Sequence, residues 1–361
     1  MKSRYLNLFL TLFLFVSIFT NFSSNGKCDL EENGNVLFVG GSGIGNYRSI
    51  QDAINDSVSG NTIIVYEDIY YENLVLNKSV ILIGVDKYNT SINGNGIGDV
   101  VVVSADNACI SNFTIKNSGS SNAGIVIQAN NCFIEENIIV NNGWCGIKTG
   151  DVCKNCTISK NIIKNNGYGI FFKDITFKIN IYENIISDNT WDGIYIDYSN
   201  DDVIIGNIIE DNGDDGISLS FCRNITISNN TIEKSGDNGL YLYSSKTTIN
   251  QNTFMYNVES GIFLRNSNFS NISWNIIWNN KNGVDVTYLS TGNKVVYNNI
   301  TKNSIGIYVP IDAGFNSYSD NVFSDNSEDF VQDESPTPGF EIIFMVFSVI
   351  LILNWKYYKN R

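Results

Sequence analysis

Histidine is absent from this 361-residue chain, and its absence removes several kinds of chemistry. Without an imidazole there is no Ser-His-Asp or Cys-His catalysis, and no zinc or copper site that depends on a histidine ligand. Methionine occurs only three times, which leaves little for a copper site built from thioethers. Any catalysis must therefore use carboxylates, lysines or arginines.

Basic residues are also scarce, with 23 lysines and arginines against 37 aspartates and glutamates and a net charge of −14 at pH 7. This balance argues against nucleic acid, and against an anionic membrane surface, as the main partner. It suits a solvated exterior or a site for cations. We therefore expect no nucleic-acid partner.

What the chain does contain is a repeat of 22–24 residues. A glycine followed by an apolar residue recurs nine times, at Gly124, Gly146, Gly169, Gly193, Gly216, Gly239, Gly261, Gly283 and Gly306. An asparagine keeps the same spacing, at Asn137, Asn161, Asn184, Asn207, Asn230, Asn252, Asn275, Asn298 and Asn321. A fixed period of this length indicates a stacked solenoid. Helical repeats are excluded, because they need longer units and a 3.6-residue apolar pattern.

Apolar residues around these markers alternate with polar ones, as at Ile125 and Ile127 after Gly124. Three short alternating runs fit in each repeat, and this indicates strands with one buried face. We predict an all-β, right-handed parallel β-helix over residues 27–330, with equivalent residues about 4.8 Å apart. The asparagines should form a ladder of side-chain amides. A second column, from Asn142 to Asn326 and interrupted at Ser235, should form another.

The turn glycines are expected to supply backbone angles that other residues avoid.

A short helix is predicted to cap the N-terminal edge of the solenoid. Within residues 49–58, Ile50, Ala53, Ile54 and Val58 have helical spacing. The segments Thr62–Val65 and Leu74–Leu76 are predicted to be the first strands.

Residues 36–330 resemble pectate-lyase-like β-helix proteins and NosD-type parallel β-helix repeat proteins. The resemblance is carried by residues 38–54, 60–65 and 71–76 together with the Gly-Ile and Asn-Ile repeats. It implies the fold, which hosts lyases, hydrolases, epimerases and binding proteins. The copper association of the NosD name does not carry over, because the histidines are missing.

The first 26 residues are predicted to be a secretory signal peptide, since Lys2 and Arg4 precede an apolar run from Leu6 to Phe19.

The C-terminal end is predicted to be a second targeting segment. A linker and sorting motif occupy residues 331–339, and a hydrophobic segment with a basic tail occupies residues 340–361. The motif of Pro338, Gly339 and Phe340 resembles the archaeal PGF-type sorting signal, which implies an archaeosortase-type processing enzyme and a lipid anchor. An ordinary C-terminal membrane anchor is the alternative. Both place the β-helix outside the cell, at the cell surface.

The cysteines follow the repeat in part. Cys109, Cys132 and Cys156 are 23 and 24 residues apart, which predicts one inward position on three successive coils. A buried stack of thiols, a disulfide between neighbouring coils, and a metal site that includes Cys153 are the alternatives.

Acidic residues crowd residues 188–215. Asp192 and Asp215 both precede a repeat glycine and should stack on adjacent coils. Asp214 and Asp215 resemble the Asp-Asp element of polygalacturonase-type hydrolases, although the Gly-His-Gly of that family cannot occur here. The three carboxylates can share acid and base roles, or hold Ca²⁺ as the only cofactor suggested, with Arg223 as the base beside a bound uronate. The alternative is that they are solvated turn residues.

Aromatic residues mark the outward position two residues after the repeat glycine. They are Phe171, Tyr195, Tyr241, Phe263 and Tyr308. Flat rings along a sheet suit stacking on sugars, while the alternative is simple strand propensity. Together these features predict an exported, surface-anchored protein that binds polysaccharide or serves the envelope structurally. A Ca²⁺-dependent polysaccharide lyase or a carboxylate-based glycoside hydrolase is the second hypothesis.

Overall fold

The computed structural model describes residues 34–150, 153–173 and 175–333. The predicted signal peptide, most of the linker, the motif of Pro338, Gly339 and Phe340, and the segment 340–361 lie outside the described residues. Among those that are described, no helix is long and apolar enough to cross a membrane.

The described chain winds through about 13 turns and builds three parallel sheets of twelve strands each. Sheet A contains Val36–Val39, Thr62–Val65, Ile81–Gly84, Cys109–Ser111, Phe133–Glu135, Thr157–Ser159, Asn180–Tyr182, Val203–Ile205, Arg223–Ser228, Lys246–Asn250, Asn271–Ser273 and Lys294–Val296. Sheet B contains Asp68–Tyr70, Thr90–Asn93, Thr114–Lys116, Ile138–Val140, Ile162–Lys164, Ile185–Ser187, Ile208–Glu210, Thr231–Glu233, Thr253–Met255, Ile276–Trp278, Asn299–Thr301 and Val322–Ser324. Sheet C contains Leu74–Leu76, Val101–Val103, Ala123–Ile127, Cys145–Thr149, Tyr168–Phe172, Ile194–Asp197, Ile217–Ser220, Leu240–Tyr243, Ser260–Arg265, Asn282–Thr287, Ile305–Val309 and Glu328–Gln332. The strands Cys153–Lys154 and Thr176–Phe177 form a separate pair.

Each strand pairs in parallel with the strand one coil further on, so the repeat sets the register. Ile163 pairs with Ile186, which pairs with Ile209, and all three side chains are fully buried. Inward columns of this kind form one apolar core along the axis. The predicted right-handed parallel β-helix is confirmed.

Both asparagine ladders form inside the turns. The Nδ2 of Asn207 donates to the carbonyls of Ile181 (3.0 Å) and Ile205 (3.2 Å) and to Oδ1 of Asn230 (2.9 Å). The backbone N–H of Asn207 also donates to Oδ1 of Asn230 (2.8 Å), and this pattern recurs from coil to coil. In the second ladder the predicted interruption leaves the buried Ser235 hydroxyl without a partner.

Turn glycines such as Gly60, Gly96 and Gly206 have a positive φ, as predicted, but the repeat glycines do not follow this prediction. None of them has a positive φ. A Cβ on Gly193 would instead lie 2.7 Å from the carbonyl oxygen of Gly216 and 2.7 Å from Cγ2 of Ile209. Close packing of successive coils therefore requires the glycine. The left-handed turn positions are mostly filled by other residues, such as Asn141 and Asn165.

The predicted capping helix is present as Ile50–Asp56. The Ser49 side chain caps it, and the carboxylate of Glu72 accepts hydrogen bonds from the backbone N–H of Ile50 (2.9 Å) and Gln51 (3.0 Å). This satisfies donors that a helix start leaves open. Val58 lies beyond the helix and is exposed, contrary to the prediction.

The first described strand is Val36–Val39, which pairs with Thr62–Val65. It precedes both segments that were predicted to begin the solenoid.

The cysteine column is shorter than predicted. Cys109 pairs with Phe133, so it lies one position away from the column of Cys132 and Cys156. Cys109 is disulfide-bonded, whereas Cys132, Cys153 and Cys156 are free and buried. Their sulfurs cluster, with 2.8 Å between Sγ of Cys153 and Sγ of Cys156. The buried thiol stack therefore spans two coils rather than three.

Candidate functional site

The candidate site lies at the corner where the chain passes from sheet B to sheet C, around Trp191. Backbone N–H groups of Thr190 and Trp191 donate to the carbonyls of Asn166 and Gly167, both at 2.9 Å, and fix this turn on the preceding coil. A Cβ on Gly167 would lie 2.6 Å from Cζ3 of Trp191 and 2.1 Å from the carbonyl oxygen of Trp144. Glycine at this position therefore lets the indole lie across the turn, where it stays 41% exposed.

Five rings meet here and form what we call the aromatic patch: Trp144, Tyr168, Phe171, Trp191 and Tyr195. The ring centroid of Tyr168 lies 4.9 Å from that of Trp191 and 4.7 Å from that of Phe171. Phe171 in turn lies 4.9 Å from Trp144 and 5.1 Å from Tyr195. These spacings are typical of packed aromatic pairs. The patch is therefore a packed cluster of rings across three coils, in which Phe171 is buried and Trp191 is exposed.

An amide-lined groove runs from the same tryptophan across the preceding coils, with a volume of about 640 Å³. Its lining comprises Asn93, Asn95, Gly96, Asn117, Ser118, Asn141, Asn142, Gly143, Asn165, Asn166, Gly167, Thr190 and Trp191. The exposed amides of Asn95, Asn141 and Asn165 can both donate and accept hydrogen bonds, which matches the hydroxyls of a sugar. The amides of Asn142 and Asn166 are already bonded in the buried second ladder. Sequence reasoning missed this groove, although the asparagines at 117, 141 and 165 form a third column with the same period.

The predicted stacking of Asp192 and Asp215 is present, but it makes a short ladder. Asp215 donates its N–H to Oδ1 of Asp192 (2.9 Å), and Asn238 donates N–H (2.9 Å) and Nδ2 (3.0 Å) to Oδ1 of Asp215. Both aspartates are buried, and one carboxylate oxygen of each lies within 4.8 Å of one on the exposed Asp214. This geometry favours a structural role for Asp192 and Asp215, which is to stabilise the turn.

Burial raises the pKa of the two buried carboxyls. Burial, followed by the charges of Asp215 and Asp214, raises the pKa of Asp192 to about 8. Burial raises the pKa of Asp215 to about 7, opposed by the hydrogen bonds from Asn238. Asp192 and Asp215 therefore hold protons near neutral pH. One oxygen from each of the three carboxylates lies close to the others, whereas Ca²⁺ takes six to eight ligands, and the two buried carboxyls must lose their protons to bind it.

These shifts predict that the protein becomes less stable as pH rises. Both folded pKa values lie above the ordinary value of 3.8, so the stabilisation is complete below about pH 4 and is lost as pH rises through 7 and 8. Each pKa unit corresponds to about 1.4 kcal/mol. Asp192→Asn keeps the Oδ1 acceptor without a charge and should melt several degrees above the wild type at pH 8. Thermal melts at pH 5 and pH 8 measure this.

Asp188→Asn is the control, because that side chain is exposed in the neighbouring turn. It should keep the wild-type dependence of melting temperature on pH. An unchanged dependence in Asp192→Asn would contradict the assignment.

The structure does not bring Arg223 to the carboxylates. Arg223 begins a strand of sheet A beside Lys246 and lines a different cleft.

The predicted aromatic column is in register, with Phe171 beside Tyr195 and Tyr241 beside Phe263. The rings lie nearly parallel, at 13° and 8°, so neighbouring rings cover each other's faces. Phe171 is only 8% exposed. The column therefore offers ring edges more than the flat faces that the sequence suggested.

Tyr308 stands apart from these pairs, because Asp285 lies between it and Phe263.

Solved structures share this fold at low sequence identity. The Dettilon tailspike protein (gp208) has 16% identity and a TM-score of 0.64, with 80% of this chain and 68% of that chain covered. A GH87 α-1,3-glucanase from Streptomyces thermodiastaticus has 14% identity and a TM-score of 0.61, covering 86% and 70%. The AlgE6 mannuronan C-5 epimerase A-module from Azotobacter vinelandii has 17% identity and a TM-score of 0.55, covering 79% and 93%. Such identities show the fold alone.

No curated protein matches the chain significantly in sequence. A family model described as a right handed beta helix region matches residues 153–257 and 192–342, which together are more than half of the chain. The matched residues contain most of the repeats, most of the two asparagine ladders and the corner at Trp191. The chain belongs to the right-handed β-helix region family.

Proposed function

We propose that this protein binds polysaccharide at the corner between sheets B and C. The observation that carries the proposal is the position of Trp191, which is 41% exposed and joins the amide-lined groove to the aromatic patch. A polysaccharide presents hydroxyls and apolar ring faces together. A groove of amides that ends at an exposed indole is complementary to both.

Two fold neighbours have names that refer to glycans, an α-1,3-glucanase and a mannuronan C-5 epimerase. They support a glycan partner as the first class to test. They do not transfer a mechanism, because the fold hosts many activities.

The cellular setting is part of the proposal. We infer export by the signal peptide in residues 1–26 and attachment at the cell surface through residues 340–361. Processing by an archaeosortase at Pro338, Gly339 and Phe340 is the specific form of this inference. A surface location would give the groove access to envelope or external glycans.

The test is Trp191→Ala in the full chain, with binding measured by calorimetry against α-1,3-glucan, mannuronan and polygalacturonate oligosaccharides. Removal of an exposed interface tryptophan should weaken binding of the bound glycan by about ten- to hundred-fold. Trp274→Ala is the matched control, because Trp274 is 62% exposed and stacks on Tyr297 at a different corner. Equal binding by wild type and Trp191→Ala would refute the site.

The second candidate function is a carboxylate enzyme, and the raised pKa of Asp192 beside the aromatic patch favours it. The same incubations, with and without Ca²⁺, should be assayed for unsaturated products and for reducing ends. Turnover that Asp192→Asn abolishes without loss of binding would establish the enzyme. The ladder bonds of Asp192 and Asp215 argue against the enzyme, because they give these carboxylates a structural role in the turn.

A further inference from the structure

A second cleft lies at the opposite end of the sheet C strands, where the chain turns into sheet A. Its volume is about 490 Å³. Its lining includes Arg223, Asn224, Lys246, Asn266, Asn268 and Phe269. In the coil of the candidate site, the chain enters sheet C after Trp191 and leaves it at Tyr198. The two sites are therefore separated by the width of the sheet.

The cleft is basic on a strongly acidic molecule. Arg223 and Lys246 are register partners on adjacent parallel strands, a spacing at which like charges repel. Neither side chain takes part in any of the ion pairs among the described residues. The nearby carboxylate of Asp201 accepts a hydrogen bond from Nδ2 of Asn224 at 3.2 Å. An anion between the two cations would relieve their repulsion.

A β-bulge occurs at this cleft. The register of the strand Arg223–Ser228 against Lys246–Asn250 shifts between Arg223 and Ile225. Asn224 has a φ of 56° and takes up the extra residue. Bulges redirect side chains and are common beside binding sites. Here the bulge places Arg223 outside the regular register of the strand.

Exposed rings stand at the same corner. Successive coils place Tyr198, Phe221, Ser244, Asn266 and Tyr288 there, all with φ between 46° and 57°. Asparagine tolerates this left-handed conformation, whereas bulky side chains are unfavourable in it. Tyr198 and Phe221 nevertheless stack at 4.9 Å and remain 51% and 40% exposed. The ring pair therefore gives this corner an exposed aromatic surface on which a sugar ring can stack.

We infer that this corner binds an acidic sugar of a polysaccharide, with Arg223 and Lys246 holding its carboxylate beside the Tyr198–Phe221 ring pair. The planar guanidinium matches a carboxylate with two parallel hydrogen bonds, and the ammonium adds a second charge. The inference deepens the proposed glycan function by naming a substrate class. It uses a surface different from that around Trp191.

The test measures binding of the full chain to galacturonate hexasaccharide and to its methyl ester, which has the same backbone without the charge. Arg223→Gln and Lys246→Gln should each weaken binding of the acid by about ten-fold and leave binding of the ester unchanged. Lys234→Gln is the control with the same change of net charge, because Lys234 is already paired with Glu233 (3.1 Å) and Asp211 (3.5 Å). Added salt should weaken binding of the acid more in the wild type than in the two cleft variants.

Each outcome decides the inference. Unchanged binding of the acid in both cleft variants, equal losses for acid and ester, or stronger binding of a sulfated galactan hexasaccharide would each overturn it. Trp191→Ala, measured in parallel, separates the two sites. Loss of ester binding in Trp191→Ala alone would support the function around Trp191 but not this cleft. Loss of acid binding in the cleft variants alone would support the cleft and overturn the proposal at Trp191.

Discussion

Asn207→Ala is expected to lower the free energy of unfolding by about 4 kcal/mol, because it breaks the first asparagine ladder in its middle. The change removes three Nδ2 hydrogen bonds to Ile181, Ile205 and Asn230. It also takes away the Oδ1 that accepts both N–H (3.0 Å) and Nδ2 (3.0 Å) of Asn184. These groups are buried, so water cannot replace the lost partner without opening the turn. Unfolding in guanidinium chloride measures the loss.

The control is Asn180→Ala on an outward position of the adjoining strand of sheet A, where the side chain is half-buried. It should cost about 0.5 kcal/mol or less. An unfolding midpoint of Asn207→Ala equal to that of wild type would show that the ladder is not a main source of stability.

Gly193→Ala is expected to cost about 3 kcal/mol through overpacking. The added methyl would lie 2.7 Å from the carbonyl oxygen of Gly216 and 2.7 Å from Cγ2 of Ile209. The carbonyl belongs to the next coil, so relief requires the whole coil to shift. Denaturant unfolding, analysed for midpoint and slope, provides the measurement.

Gly206→Asn is the matched control for glycine replacement. Gly206 has a φ of 67° with only Cγ of Glu183 within reach of a new Cβ, at 3.8 Å. The preceding coils place Glu183 and Lys160 at this left-handed position. The variant should be as stable as wild type or slightly more stable. A larger loss in Gly206→Asn than in Gly193→Ala would contradict the steric explanation.

The fold could be predicted because one short period repeats many times. Each further isoleucine at the same position of the repeat supports the same assignment of that position to the core. The same counting located both asparagine ladders and the stacked pair Asp192 and Asp215. It failed for Cys109, because the coil there is 24 residues long and the pairing residue is Phe133. A shift of one residue exchanges inward and outward positions.

The candidate site was harder to predict, since it depends on how turns of successive coils line up. The pattern marked Phe171 and Tyr195 correctly as neighbours, but ring orientation follows from packing and not from spacing. The groove beside Trp191 needs Gly167 one coil earlier to admit the indole. Arg223 shares a coil with Asp215, yet the strand of sheet C between them carries it to another corner.

The regular stacking of coils has a consequence for how any long ligand would be recognised. Register partners such as Tyr195 and Ser218 are 23 positions apart in the chain but about 4.8 Å apart along the axis. A linear ligand lying along the axis therefore contacts about every twenty-third residue of the chain. The residues that recognise it do not form a contiguous sequence motif. Each outward residue in such a column can be substituted without changing the core of its coil. Selectivity for a ligand can therefore change by single substitutions while the fold is kept.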